Sequence, residues 1–594
     1  MYPPVIGAQK AICDRGRLRL FGPATMTDVL ARDMRRHWTM LAAIIVAATV
    51  LRVVALDAYG LWNDEALTIV LSNWPIPDMF LLPTDPTPPL YYVLHKLLIP
   101  ANAPVEVVRS ISVAAGVMSV GLIYVLGRLA FGATGGLLAA ALLAVWTAHV
   151  DYSQEARAYS LLFFLSLLTS LGLLHYARVL QRTAEPGRSD AGRRQVALVL
   201  FGVGNVLSFY THIIAIAWIV LSSLLLLAIV VRERRIHRAE LLSVFGVMAI
   251  CASPGIYRLI RQMLAGDDFH WLPQADLVGF ATTTASVWFP VGLWENPLTH
   301  ALGTDRVVQG AVAAGSVVLL ATGLWFGRQG LQRFLQERPA VLWLILAYLA
   351  MPMLIWMFGF VARPLFMDRV ILFSVPGMIL LITAVCIGLG DRFATGAAIA
   401  TVLLYGASTL LFGIMREKED WRGAYRFLAA SASPTDVIAV CPLYNYPALR
   451  YHAGAPVGSA VLAVSADGSF VQIERGLGTN PEWDKTFHRT VSVPRMAGQR
   501  VGAQVVPTAF RLQPGQSIWR VDGQCNSGFA ATMDAALYPL APDPDIAWIQ
   551  NRKGPQTWGI VIRRYRVRAP VALNIRYLAP RRDKPSFGRV ASAP

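Results

Sequence analysis

Charged side chains are scarce in this sequence. Asp, Glu, Lys and Arg make up 15% of its 594 residues, against about 25% in a soluble domain, and the shortfall excludes an ordinary water-soluble globule. Acids are the scarcer sign, 36 against 53 Lys and Arg. The five cysteines show no zinc-type spacing. Nothing points to a repeat array, because there is no internal repeat and no extended low-complexity stretch. A cleavable signal is not expected either. Some 37 largely polar residues precede the first apolar run and no small-residue cleavage site follows it, so that run reads as a retained span.

What fills the chain is apolar: 55% of residues are hydrophobic. About eleven runs are candidates to cross a bilayer core, near 38–56, 105–127, 131–149, 158–177, 195–209, 213–231, 240–258, 306–326, 340–360, 370–389 and 393–414. The fifth is short and the turn between the second and third is tight. Lipid offers backbone N–H and C=O groups no partners, so these runs are expected to be helices.

Lys/Arg bias in the short loops orients them. Arg32, Arg35 and Arg36 precede the first span, and arginines crowd the loops 178–194, 232–240 and 328–338. With alternating helices all four segments share one side, the cytoplasmic one. The opposite loops carry Asp64, Glu65, Asp78, Asp85, Asp267, Asp268 and Glu295. The domain reading is a cytoplasmic segment 1–37, a membrane domain 38–414 with external loops 57–103 and 259–305, and an external soluble domain 415–594. The first loop is rich in aromatics and prolines and should form short helices at the membrane surface. The second is aromatic and suits a mobile lid.

Beyond residue 415 the texture changes. Asp436–Cys441, Val461–Val464, Ser517–Val521, Gly559–Val567 and Val571–Leu578 read as strands of a small α/β domain. From Met415 onward there are 23 Lys/Arg and 13 Asp/Glu, +10 of the formal +17. The run Arg563, Arg564, Arg566, Arg568 is its densest basic stretch. Such a field favours anionic headgroups or an acidic glycan, with plain electrostatic tethering to the membrane as the simpler reading; nucleic acid is not an expected partner. An oxidising compartment permits a Cys441–Cys525 disulfide, which the sequence leaves open.

Five polar stretches interrupt the apolar part, at Asn63–Thr68, Asp85–Tyr92, Asp151–Tyr159, Tyr210–His212 and Arg363–Arg369. All five emerge on the external side. Asp64 is suited to deprotonate a hydroxyl; equally, Asn63 or Asp64 suits the cap of a surface helix beginning at Glu65. Asp151 and Gln154 fit a capping box ahead of the fourth span, which leaves Glu155, Arg157 and Tyr159 in that span's first turns, where ionisable groups default to functional candidates. Arg363 and Arg369, with Arg258 and Arg261, suit phosphate contacts, against the plainer reading of snorkelling at helix ends. His212 is more simply structural.

Together, WNDEALT, DPTPPLYY, DYSQEARAYSL, YTH and RPLFMDRVILFSVPG resemble the motif series of the polytopic GT-C glycosyltransferases. The likeness is to bacterial members of the protein O-mannosyltransferase superfamily (glycosyltransferase family 39-like), such as the aminoarabinose transferases and Rgt-type lipopolysaccharide-core transferases. It covers roughly residues 35–425, and Asp420-Trp421-Arg422 is also similar in placement. The resemblance implies an α-helical polytopic membrane protein of the GT-C fold with an external α/β domain, in the bacterial cytoplasmic membrane. It implies a polyprenyl-phosphate sugar donor and an acceptor in the cell envelope (lipid, polysaccharide or protein). Asp64 would be the inverting base, with Glu65 and Asp151 shaping the acceptor site. Arg369, Arg258 or Arg261, Thr87 and Tyr91 would hold the donor phosphate; Glu155, Arg157, Tyr159, His212 and Arg363 would line the substrate. The resemblance fixes no cofactor and leaves a metal requirement open; a divalent cation, where one is used, would sit at Asp64 and Asp151. One departure stands out: relatives often place His or Lys where this chain has Thr87, which donates a hydrogen bond but no charge. A transporter or flippase of a lipid-linked glycan is the alternative.

Overall fold

The computed structural model describes residues 26–81, 87–182, 188–234, 237–264, 274–294, 298–299, 302–361, 364–416, 418–464, 470–478, 505–523, 527–537, 545–550 and 559–578. Among them, nine helices are long and apolar enough to cross a membrane: Arg35–Val53, Ser110–Phe131, Tyr159–Gln181, Ala215–Arg232, Arg238–Ile260, Arg306–Gln329, Pro339–Val361, Asp368–Gly388 and Arg392–Ile414. A tenth crossing is split into Ala133–Ala144 and Thr147–Ser153, bent by 61°. The helix Arg188–Phe209 answers to the short fifth run and begins in polar turns. Each of the eleven runs thus has its helix, and the chain is a multi-pass membrane protein.

Burial sorts the helices. Tyr159–Gln181 and Asp368–Gly388 are central and mostly buried, whereas Arg238–Ile260, Arg306–Gln329 and Arg392–Ile414 have few buried residues. Their outward side chains are apolar, among them Ile250, Val317, Leu319, Leu403 and Leu410, as contact with lipid requires. Close crossings are made at glycine. A Cβ on Gly172 would lie 2.5 Å from Phe201 N, and one on Gly204 would lie 2.4 Å from Thr169 Oγ1, so helices 159–182 and 188–209 meet backbone to backbone. The tight turn after Phe131 is closed by Gly132 at φ +87°.

The bend at Val145–Trp146 leaves carbonyls without helical partners, and a buried arginine supplies them. Arg52 Nη1 donates to Ala144 O at 3.1 Å and Arg52 Nη2 to Leu143 O at 3.1 Å and His149 Nδ1 at 2.8 Å. The second half of the broken span therefore runs to Ser153, with Gln154 as its C-cap. That overturns the capping box: Asp151 lies in the last turn of one helix, while Glu155 and Arg157 fall in the break before the next helix begins at Tyr159. Gln154 Nε2 instead donates to the carbonyls of Leu51, Arg52 and Val54 at 3.1–3.3 Å.

The first long loop, 57–103, folds into the short helices Asn63–Ser72, Ile76–Leu81 and Leu90–Leu98. The first begins at Asn63, not Glu65, and most of it is buried, so it is no surface helix. What is described of the second loop is anchored: Trp288 Nε1, at the end of helix Leu277–Trp288, donates to Ser374 Oγ at 2.8 Å.

The soluble part is an eight-stranded mixed sheet of order β4-β8-β3-β2-β1-β5-β7-β6. Its strands are β1 Val437–Cys441, β2 Ala460–Val464, β3 Phe470–Glu474, β4 Val505–Leu512, β5 Ser517–Asp522, β6 Asp545–Ile549, β7 Val561–Arg566 and β8 Val571–Leu578. The all-buried β1 lies parallel to β2 and β5 at the centre. Ile438 and Val440 face helices Trp421–Ser431 and Tyr446–Tyr451, and Val437 and Ala439 face Ser527–Leu537. Ala66 and Val70 of the first loop belong to the former core, so sheet domain and membrane bundle share apolar packing. Cys441 is disulfide-bonded; Cys525 lies outside the described residues.

Candidate functional site

Helix Asn63–Ser72 turns its two acids apart. Glu65 points inward and is fully buried. Its Oε1 accepts from Arg109 Nε at 2.7 Å and Ala156 N at 2.8 Å, and its Oε2 accepts from Arg109 Nη2 at 2.6 Å. Burial alone would raise its pKa, but the Arg109 charge and its hydrogen bonds, with Lys418 nearby, hold the carboxyl down at about 2. A carboxylate so engaged shapes the site from behind.

Asp64 points the other way and remains partly open. Its Oδ2 accepts from Arg369 Nη1 at 2.9 Å, although 305 positions separate the two residues. Arg369 Cζ stands 5.8 Å from the Trp62 ring and 6.0 Å from that of Tyr159. Arg157 completes the group: Nη1 donates to Asp64 O at 3.3 Å and Tyr92 OH at 3.4 Å, and Nη2 reaches Thr87 Oγ1 at 3.5 Å. Arg258 Nη2 meets the other side of Thr87, donating to its carbonyl at 3.4 Å. Three arginines therefore flank a line from Asp64 to Thr87. Beside Arg258 lies a small open cleft, walled by Pro88, Pro89, Phe209, Tyr210 and Ile213.

Other expected residues fall at varying removes. Tyr159 lies between Tyr152, edge to face, and His212, tilted, with ring centroids 5.6 and 5.8 Å apart, and His212 Nδ1 accepts from Ile214 N at 3.2 Å. Tyr91 is turned into the packed interior with its hydroxyl on Ser112 Oγ at 2.8 Å; its neighbour Tyr92 is the one that meets Arg157. Arg363 lies outside the described residues, as does the side chain of Arg261.

Asp151 and Glu155 are held by the segment that leads into the sheet domain. Arg416 pairs with Asp151 and also donates to Gln154 Oε1. Lys418 Nζ donates to Glu155 Oε1 at 2.7 Å. Burial pushes Glu155 above the usual carboxylate range and Lys418 below the usual ammonium one, each opposed by the other's charge. Lys418 is itself fixed through its carbonyl, which accepts from Gln550 Nε2 at 2.7 Å just past β6. Farther along, His452 Nε2 accepts from Leu61 N at 3.1 Å, and burial with Arg422 nearby lowers that imidazole to about 3. Asn445 accepts from Asn63 Nδ2. Asp420 caps helix Trp421–Ser431, its Oδ1 accepting from Gly423 N at 2.7 Å.

Arg109, Arg416 and Lys418 were not singled out in the sequence. A signal existed for Arg109, an ionisable group in the first turns of an apolar run. The basic run is partly internal: Arg563 pairs with Asp522, Arg564 lies 5.0 Å over Trp519 and Arg566 pairs with Asp545 at 3.1 Å. A cation fits poorly at Asp64 and Asp151, because each carboxylate already faces an arginine. Among the described residues no group of three His, Cys, Asp or Glu side chains gathers to hold one.

No protein-family profile matches the chain, and no curated protein sequence does. Several solved structures are similar to it. ArnT from Cupriavidus metallidurans bound to undecaprenyl phosphate is 14% identical, with a TM-score of 0.45 over 88% of this chain and 97% of that one. The Archaeoglobus fulgidus oligosaccharyltransferase in the apo form is 12% identical, with a TM-score of 0.41 over 84% and 71%. The S. cerevisiae protein O-mannosyltransferase Pmt1-Pmt2 complex bound to the sugar donor is 15% identical, with a TM-score of 0.30 over 38% and 33%.

Proposed function

We propose that this chain is an integral-membrane glycosyltransferase of the GT-C kind, moving a sugar from a polyprenyl-phosphate donor to a cell-envelope acceptor. The reaction is placed at the outer face of the bacterial cytoplasmic membrane, with the sheet domain on that side. The observation that carries the reading is the convergence of Asp64 with Arg369, Arg157, Thr87 and Arg258 beside an apolar hollow. A partly open carboxylate suits a general base, and arginines suit a phosphate leaving group.

In this reading Asp64 takes the acceptor's hydroxyl proton as the acceptor oxygen attacks the anomeric carbon from the face opposite the phosphate. The anomeric C–O bond breaks with its electron pair on the lipid phosphate, where Arg369 and Arg258 offset the charge. Inversion follows from that geometry. The three arginines also answer the neutral Thr87: cationic charge comes from its neighbours. A transporter would collect polar groups near the bilayer midplane, whereas these sit at helix ends, which favours the enzyme.

Mass analysis of envelope glycolipids and polysaccharides tests the reading. Cells without the chain should lack one sugar residue and accumulate its lipid donor, and Asp64→Asn should fail to restore it while inserting normally. An unchanged envelope, or full rescue by Asp64→Asn, would reject the enzyme or the base respectively.

A further inference from the structure

The transferase reading gives Asp64 and Arg369 separate tasks, one on the acceptor's proton and the other on the donor's phosphate. In the structure they occupy each other. Arg369 Nη1 donates to Asp64 Oδ2 at 2.9 Å, and a carboxylate oxygen engaged by a guanidinium is not open to an acceptor hydroxyl. Resting on that reading, we propose that the donor's phosphate is what releases the base. A phosphate oxygen replaces Asp64 Oδ2 on Arg369, so that Asp64 meets an acceptor hydroxyl only when the donor is already bound.

Three features suit this contact to exchange. It is made through one nitrogen only, since Arg369 Nε lies on Met367 Sδ at 2.8 Å, and a thioether is a weak acceptor; a phosphate can offer a guanidinium two oxygens at once. The pair is also the most open of the site's four, with 19% of the Arg369 side chain and 27% of Asp64 exposed, against 3% and 0% for Arg109 and Glu65. Finally, the rings of Trp62 and Tyr159 flank the guanidinium, and Arg157 holds the Asp64 carbonyl, so either partner can turn without the helix moving.

The sequence of events balances. The incoming phosphate takes Arg369, and the freed Asp64 carboxylate accepts the acceptor's proton as the new glycosidic bond forms. The old anomeric C–O bond leaves its electron pair on the phosphate oxygen that Arg369 now holds. Departure of the lipid phosphate and loss of the proton return Arg369 to Asp64. Donor must therefore bind before acceptor.

The test measures binding of decaprenyl monophosphate, with neutral decaprenol as control, to the purified full chain in lipid nanodiscs. Asp64→Asn removes the competitor and should bind the phosphate about fivefold tighter, the change expected for a partly exposed ion pair. Arg369→Gln should bind at least about tenfold weaker, and Asp64→Asn should then add nothing in that background. Equal affinity of wild type and Asp64→Asn overturns the exchange. So does tightening that persists in the Arg369→Gln background, since it would report simple repulsion between Asp64 and the phosphate. If Arg369→Gln is not monodisperse, Arg369→Lys serves, with the gain from Asp64→Asn expected to persist. Wild type that binds decaprenyl phosphate no better than decaprenol would instead sink the donor reading itself.

Discussion

Replacing Glu65 by Gln keeps the side chain's shape while removing its charge, and the structure sets the expected cost. Both carboxylate oxygens are occupied, by Arg109, Ala156 N and, at 3.4 Å, Trp62 N. The carboxyl is held at about 2, from an ordinary value of 4.5. At about 1.4 kcal/mol per unit, that displacement corresponds to about 3 kcal/mol of folded-state stabilisation, and full burial calls for no solvent discount. Breaking a buried pair costs about 3–5 kcal/mol. The lower end applies here because Arg109 keeps the carbonyls of Leu56, Tyr59 and Gly60. Since the folded-state value is depressed, the contribution is complete above about pH 4.5 and is lost as pH falls toward 2. Equilibrium unfolding of wild type and Glu65→Gln in the same detergent should therefore differ by about 3 kcal/mol at pH 7 and converge on acidification. A difference below about 1 kcal/mol, or one that persists undiminished at pH 3, would refute the argument. So would a variant that is fully stable yet inactive, since it would give Glu65 a chemical task.

Two further substitutions probe other contacts. Lys418→Met strands Glu155 in a buried site and should cost roughly 3 kcal/mol, whereas Lys418→Met with Glu155→Gln should recover most of it; equal costs for single and double variants in an unfolding cycle would show the pair is uncoupled. Gly292→Ala would put a Cβ 1.9 Å from Ser408 O in the helix Asp391–Met415 and should cost about 2 kcal/mol or more. Gly406→Ala, whose Cβ would meet only Val145 Cγ1 at 3.9 Å, should be tolerated, and similar melting of the two variants would refute the steric account.

The helices were legible because crossing a bilayer demands long apolar runs, a constraint that single positions carry locally. Five strands were legible for a similar reason, as bounded runs of β-branched residues. β3, β4 and β6 were not: Phe470–Glu474 and Asp545–Ile549 are short and mixed, and β4 contains Pro507. The break at Val145–Trp146 also escaped notice. Arg52, which binds the carbonyls at the break, lies some ninety residues away, so Asp-x-x-Gln read as the start of a helix when it marks the end of one. Of the candidate site, the sequence offered a set of residue types in the polar stretches between apolar runs. The pairing within it was not legible, because charge partners such as Glu65 with Arg109 and Asp151 with Arg416 are chosen by the fold, and local pattern holds no record of them.

The chain of contacts from Gln550 through Lys418 to Glu155 has a bearing on how such a protein can be divided. A cut after Met415, where the last long helix stops, would leave Asp151 and Glu155 as uncompensated anions at the broken span. Glu155 adjoins Ala156 and Arg157, which brace Glu65 and Asp64. The true seam thus runs inside the bundle. Chimaeras that transplant the sheet should carry residues 151–157 and 416–422 as one matched graft, and drift at either end of the Lys418–Glu155 pair should be answered at the other.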